Sequence, residues 1–349
     1  MRIRPYTPAD LAAVIRLWNA SAEAGEVVYR PLDAAYYAEK FEGNQSYDPA
    51  YALVAEADGH VAGFIHGIAQ TVFLPKETPG NTPGYVTALF VEPASRRKGV
   101  GGALLKALEE KFLQNGKHAV AVSSGNPINL DWRVPGTPGH DHNNAPGVDM
   151  DCPGFSFFQR HGYEEKHRAA AMYLDLSEYQ WDPKVTEIQE RLAGQGIYTG
   201  PYDASLDYDY DGMCDRIPSE YWRSAIAAEI AAWKTGKPCT DTRFLPNGKV
   251  PPGPREMLVA THEGKIVGFT GPVDLQGSGR GFFTGICTDP LYERRGIATV
   301  LFNMLMRAFV EEGAVFSTLF TGDSGHAQKL YQRTGFRVVR RFAGMRKEL

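Results

Sequence analysis

Two stretches of this chain copy each other, and the copying constrains the fold more than any other feature. Val86 to Phe112 reads as a strand (Val86-Thr87-Ala88-Leu89-Phe90-Val91), a turn at Glu92-Pro93, a basic glycine loop (Arg96-Arg97-Lys98-Gly99-Val100-Gly101-Gly102) and a helix. That helix carries Leu104, Leu108 and Phe112 on one face, the spacing of a buried stripe. Phe282 to Phe309 repeats the plan: Phe283-Thr284-Gly285-Ile286-Cys287-Thr288, then Asp289-Pro290, then Glu293-Arg294-Arg295-Gly296-Ile297-Ala298, then Leu301, Leu305 and Phe309 on a helix. Pro93, Gly99 and Phe112 each recur 197 positions later, as Pro290, Gly296 and Phe309. A single period of that length is a duplicated domain, not a solenoid of short units.

The flanking segments extend the repeat. Tyr51–Ala57 and His60–His66 are strands joined at Asp58-Gly59, a hairpin signal, and Met257–Thr261 and Lys265–Thr270 repeat them around Glu263-Gly264. Phe158-Gln159-Arg160-His161-Gly162-Tyr163 matches Tyr331-Gln332-Arg333-Thr334-Gly335-Phe336, but at an offset of 173. The fall from 197 to 173 leaves 24 extra residues in the first half. The Pro- and Gly-rich segment from about 126 to 153 is that insertion, and its prolines predict no regular element. Elsewhere the pattern predicts a helix starting at Thr7-Pro8-Ala9-Asp10, another over Leu32–Phe41, and helices over Lys184–Leu192 and Pro218–Trp233. Two domains follow, 1–176 and 177–349.

Composition excludes several classes. With 43% hydrophobic and 22% charged residues, each half can bury a core. A net charge of −4 argues against nucleic-acid binding. The chain has no run of about 18 apolar residues, so no membrane span is expected. Cys152, Cys214, Cys239 and Cys287 lack metal or disulfide spacing and read as reduced thiols of a cytoplasmic protein.

A strand that feeds a glycine loop opening a helix is an anion site, because backbone N–H groups and the helix dipole converge there. The Walker pattern Gly-x-x-x-x-Gly-Lys-Ser/Thr is absent from both halves. Leu104 and Leu301 stand where the last glycine of a dinucleotide fingerprint belongs, and the strand follows a hairpin, which a Rossmann unit does not. The order of elements resembles the GNAT N-acetyltransferase superfamily, in which a central strand precedes Gln/Arg-x-x-Gly-x-Gly/Ala and the loop amides hold the pyrophosphate of acetyl-CoA. Arg96-Arg97-Lys98-Gly99-Val100-Gly101 fits that pattern in full, while the second copy has Glu293 in its first position. The resemblance implies an α/β (α+β) fold: two GNAT-like domains, each a mixed, mostly antiparallel sheet flanked by helices, with a splayed central strand. It also implies a monomeric pseudo-dimer or a homodimer.

By the same resemblance, an amine attacks the thioester of acetyl-CoA directly in a ternary complex. The amine must shed a proton from a pKa of about 10.4, and fixed N–H groups must hold the carbonyl oxygen as charge develops. The splayed strand maps to Leu89-Phe90-Val91 and Ile286-Cys287-Thr288, and the cofactor loops to Arg96–Gly102 and Arg294-Arg295-Gly296-Ile297-Ala298. The family's proton donor to the departing thiolate is the tyrosine of Asn-x-x-Ala-x-x-Leu-Tyr. Tyr331 falls there in the second half, with Ser324 replacing the asparagine, while the first half has Phe158. The expectation is that the second half catalyses through Tyr331 and that the first binds acetyl-CoA with reduced or altered chemistry. On that expectation Tyr331→Phe cuts turnover at least about tenfold.

Two other features compete for a role. His140 and His142, with Asp149 and Asp151 nearby, form a polar loop that could contact substrate, supply a base or hold a metal; no metal site is expected. Asp207-Tyr208-Asp209-Tyr210-Asp211-Gly212 begins like a calcium loop, but Pro218 stands where the bidentate Glu is needed. The resulting expectation is acetyl transfer from acetyl-CoA to a primary amine of a small-molecule or amino-acid-like substrate. Its rivals are a non-catalytic acyl-CoA-binding or sensing protein and a loop-borne metal site carrying out hydrolysis.

Overall fold

The computed structural model describes residues 1–133, 137, 142–143, 145–245 and 250–349, without the side chains of Asn143 and Thr242. The chain divides into two units. Unit 1 comprises Met1–Thr137, Asp141–Ala171 and Val339–Leu349, and unit 2 contains Met172–Val338.

The strands and helices up to the middle of the chain are β1 (Arg2–Pro5), α1 (Leu11–Glu23), α2 (Ala34–Tyr37), β2 (Ala52–Ala57), β3 (His60–Ala69), β4 (Gly84–Val91), α3 (Val100–Gln114), β5 (Ala119–Val122), β6 (Asp131–Trp132), β7 (His142–Asn143), β8 (Val148–Asp149), α4 (Pro153–Arg160) and β9 (Glu164–Asp175). Then follow α5 (Pro183–Ala193), β10 (Tyr198–Pro201), α6 (Asp211–Arg216), α7 (Glu220–Thr235), β11 (Glu256–His262), β12 (Lys265–Leu275), β13 (Arg280–Phe282), β14 (Gly285–Thr288), α8 (Ile297–Glu311), β15 (Phe316–Gly322), α9 (His326–Arg333) and β16 (Arg337–Glu348).

Local chemistry explains most boundaries. Asp58 and Gly59 both have positive φ (50° and 77°), as do Glu263 and Gly264 (51° and 74°), so both hairpins turn where the sequence predicts. Thr7 and Asp10 form a capping box ahead of α1. Two expectations need correcting. The helix predicted over Leu32–Phe41 is one α-turn at Ala34–Tyr37, capped by Asp33, followed by a π-turn over Ala38–Glu42. The insertion, expected to hold no regular element, carries β6, β7 and β8, each two residues long; strands this short fit between its prolines.

In unit 1, β1 through β5 lie in chain order and β16 follows β5. Met345 pairs with Val122 and Glu348 with Ala119, so the chain's last strand belongs to the first unit although the repeat divides the sequence near 176. β4 runs antiparallel to β3 along its length but meets β5 only at Gly84↔Val120 and Tyr85↔Ala121. Beyond Tyr85 the two parallel strands diverge, which leaves one edge of Val86–Val91 outside that ladder. Unit 2 repeats the geometry: β13 meets β15 at Arg280↔Phe316 and Gly281↔Ser317, while β14 stays with β12.

A shared close approach locks helix to sheet. A Cβ on Gly84 would lie 2.5 Å from the Phe112 ring, and one on Gly281 would lie 2.5 Å from Phe309. Only glycine lets α3 and α8 sit this close, and each fully buried phenylalanine contributes about 1.5–3 kcal/mol of apolar burial.

Candidate functional site

The unit 1 cleft is built on the divergence of β4 from β5. The β3–β4 pairing passes from His66↔Ala88 to Gly67↔Val86, so Thr87 bulges out of register. Its hydroxyl accepts a hydrogen bond from the Asn126 amide (3.1 Å), and its carbonyl accepts one from the Tyr29 hydroxyl (3.4 Å). Leu89 and Val91 are half-buried, while Phe90 is buried and packs on Trp18 with ring centroids 4.9 Å apart. All three line a cavity of about 450 Å³ that extends from the bulge to the glycine loop.

The loop is braced before it turns. Arg96 donates through Nε to the Val91 carbonyl (2.9 Å) and through both Nη atoms to Glu26 (2.5 and 2.7 Å). That hydrogen bonding holds the Glu26 carboxyl below its ordinary range. Arg96 is therefore a brace whose charge is already matched. Arg97 (φ 60°) and Gly99 (φ 83°) then adopt left-handed backbone, which turns successive amides toward a common point ahead of α3. A Cβ on Gly99 would meet nothing within 4 Å, so the turn is uncovered at this position. Val100, Gly101 and Gly102 line the cavity as the first turn of α3, and Lys98 is exposed beside it.

The far wall comes from α4, β8 and the chain's end. Phe158 packs against Phe157 and Tyr163 and also faces the cavity. Asp149 is buried; its carboxylate accepts from Arg340 Nε (3.2 and 3.0 Å) and from the Asp151 amide (2.9 Å). Burial nevertheless pushes the Asp149 carboxyl up, and burial together with the Asp149 charge pushes the Cys152 thiol up. His142 is buried and stacks on Trp132 at 4.8 Å, apart from the residues lining this cavity. His140 lies outside the described residues. Among the described residues, no group of three or more His, Cys, Asp or Glu is placed to hold a metal ion. Sequence reasoning missed Glu26, Tyr29 and Phe342, which line the cavity from segments with no motif.

Unit 2 reproduces the loop backbone under different cover. Arg294 (φ 60°) and Gly296 (φ 98°) match Arg97 and Gly99. Yet a Cβ on Gly296 would fall 2.6 Å from Ile188 Cγ2, and Arg191 donates to the Arg295 carbonyl (2.9 Å). Both residues belong to α5, which lies across the loop. Ile297 is buried and Ala298 half-buried at the start of α8. Ile286, Cys287 and Thr288 pair with Thr270, Phe269 and Gly268. Burial pushes the Cys287 thiol up to about 12. The Trp222 ring sits where a Cβ on Gly285 would be. Tyr331 is 7% exposed, packed between Phe302 (4.8 Å) and Phe336 (6.2 Å), and burial pushes its hydroxyl up to about 12. Ser324 is exposed, and its amide donates to Gln328.

Comparison with known proteins bears on this geometry. The acetyltransferase (GNAT) family model matches residues 13–131 and 219–336. A glucosamine N-acetyltransferase region of a fungal multi-domain GH3 β-N-acetylglucosaminidase superposes with a TM-score of 0.62 at 18% identity; the match covers 99% of this chain and 38% of that one. A GCN5-related N-acetyltransferase from Sphaerobacter thermophilus gives 0.59 at 19% identity, covering 99% and 95%. A tandem GNAT protein from the clavulanic acid biosynthesis pathway gives 0.53 at 16%, covering 99% and 98%. At these identities the likeness is one of fold. No curated protein sequence matches the chain. Among the described residues no helix is long and apolar enough to cross a membrane.

Proposed function

The chain belongs to the GNAT acetyltransferase family, and on that premise we propose that it transfers the acetyl group of acetyl-CoA to a primary amine of a small molecule, in the cleft of unit 1. The observation that carries this reading is one continuous cavity joining the open amide cradle at Gly99 to the diverging edge of β4. The residues fit an acyl-CoA. The cradle leaves glycine where phosphate oxygens must approach closely. The volume of about 450 Å³ lies within the range of small-molecule sites. Acetyl-CoA supplies an activated thioester carbonyl.

The chain's own groups supply the rest. Amides at Arg97–Gly102 and the N-terminus of α3 hold the pyrophosphate. In the bulged stretch Thr87–Leu89, an amide turned away from the β3 ladder offers a fixed donor to the thioester oxygen at no reorganisation cost. Apolar Val86, Leu89 and Val91 exclude water from the arm. The four free thiols suit a cytoplasmic setting.

With α5 over the second loop, this reading gives one acyl-CoA per chain and moves the chemistry from unit 2 to unit 1. The competing reading, a non-catalytic acyl-CoA binder, draws on Phe158 at the family's donor position. A thiol-release assay with acetyl-CoA against a panel of primary amines decides between them. Amine-dependent thiol release, abolished by Gly99→Asp, supports the transferase. Binding of acetyl-CoA with no amine-dependent release overturns it.

A further inference from the structure

If the unit 1 cleft is the transfer site, it lacks the family's phenol, because Phe158 ends in a bare ring. A different phenol faces the same space. Tyr29 lines the cavity of about 450 Å³ and also a smaller one of about 20 Å³ behind the bulge. Its ring thus forms the wall where β4 leaves β5. The hydroxyl lies 3.4 Å from the carbonyl of Thr87, the bulged residue.

Three anchors fix the segment that carries Tyr29. Glu26 is clamped by Arg96 of the glycine loop. The Val28 carbonyl accepts from the Arg133 amide (2.5 Å), and the Arg30 amide donates to the Asp131 carbonyl (2.9 Å). Trp18 donates to the Arg30 carbonyl (2.8 Å) and packs on the Tyr29 ring at 5.2 Å. The phenol is therefore held in place through the same brace that shapes the pyrophosphate loop.

We propose that Tyr29, projecting from the α1–α2 connection, is the proton donor to the departing CoA thiolate in unit 1. Along β4, Val91 marks the loop end and Thr87 the bulge, about 13 Å apart at strand rise. A pantetheine arm threaded along this edge carries its sulfur toward Tyr29. The acceptor nitrogen bonds to the carbonyl carbon as the carbon–sulfur bond breaks and its electron pair leaves on sulfur. The Tyr29 proton passes to that sulfur, and the phenolate regains a proton from the nitrogen, which must shed one to become an amide. Burial is the main cause that raises the phenol well above its ordinary range, so it carries its proton at neutral pH.

Two other polar groups of the cavity, Asp149 and Cys152, suit the role less. The Asp149 carboxylate is engaged by Arg340. Cys152 is turned onto its own helix, with Sγ 3.2 Å from where a Cβ on Gly154 would be.

This assignment rests on unit 1 being the transfer site, so the test separates the two claims. Acetyl-CoA affinity by calorimetry and turnover by thiol release are measured for the full chain, Tyr29→Phe, Phe158→Tyr, the double variant and Gly99→Asp. The amine is the best acceptor from the panel. Expected results are an affinity for Tyr29→Phe within about twofold of the parent and a turnover lowered about a hundredfold. The added Phe158→Tyr should restore most of that turnover by returning a phenol to the cleft. Unchanged turnover in Tyr29→Phe overturns the assignment, and so does a loss that Phe158→Tyr leaves unrepaired, which would mean a structural role. If Gly99→Asp retains full turnover, the unit 1 site itself is overturned.

Discussion

Adding a methyl group to the two loop glycines, Gly99→Ala and Gly296→Ala, makes one chemical change at two copies of one backbone. Both sites are left-handed, at φ 83° and 98°, so alanine costs each about 1–2 kcal/mol. Restricting the unfolded chain returns about 0.4–1 kcal/mol of that. The surroundings then separate the pair. At Gly99 the new Cβ meets nothing within 4 Å, so the net loss stays near 1 kcal/mol. At Gly296 it falls 2.6 Å from Ile188 Cγ2, and displacing α5 adds about 1–3 kcal/mol of overpacking. With about 2–4 °C per kcal/mol for a unit of this size, Gly296→Ala should lower melting by about 4–16 °C and Gly99→Ala by about 2–4 °C. Acetyl-CoA affinity should invert that order. The Gly99 methyl occupies the approach of the phosphate, and one lost charge-assisted hydrogen bond weakens binding about 10–100-fold. Gly296→Ala should leave affinity unchanged. Thermal denaturation and calorimetric titration read both quantities on the same samples. Equal losses of affinity in the two variants would refute the asymmetry between the loops.

Two further outcomes follow from single contacts. Arg96 depresses the Glu26 carboxyl, so their pairing stabilises the loop fully above the unfolded value of about 4.3 and is lost as pH falls through the lower folded value. Arg96→Met should remove that acid-side loss while lowering stability at neutral pH, as read from urea midpoints between pH 3 and 7. In unit 2, Arg255 and Glu229 form a buried pair, with side chains 5% and 2% exposed. Arg255→Met leaves the carboxylate buried without its cation, so urea denaturation should show a loss of about 3–5 kcal/mol, and a loss below about 1 kcal/mol would mean that Glu229 finds another partner.

The elements legible in the sequence were those whose cause is local. Asp58-Gly59 and Glu263-Gly264 needed only two positive φ angles to make their hairpins. The loop backbone at Arg97 and Gly99, and its copy at Arg294 and Gly296, followed from spacing. Contacts between distant segments were not legible. Glu26 reaches Arg96 across 70 positions, and Arg191 reaches Arg295 across 104, with no motif at either end. The motif of unit 2 therefore reads as a second cofactor loop with one departure at Glu293 and a tyrosine in place, and nothing in Ile188 announces that it lies on Gly296. Likewise β16 alternates like any strand, and only pairing with β5 assigns its end to unit 1. Phe158 is legible as a ring without a hydroxyl, whereas the place of Tyr29 comes from the brace and not from a pattern.

The most direct measurement is a calorimetric titration of the full chain with acetyl-CoA. One equivalent per chain, abolished by Gly99→Asp and retained in Gly296→Asp, is the expected result. Two equivalents, or a single one that vanishes with Gly296→Asp and survives Gly99→Asp, would contradict a transfer site in unit 1.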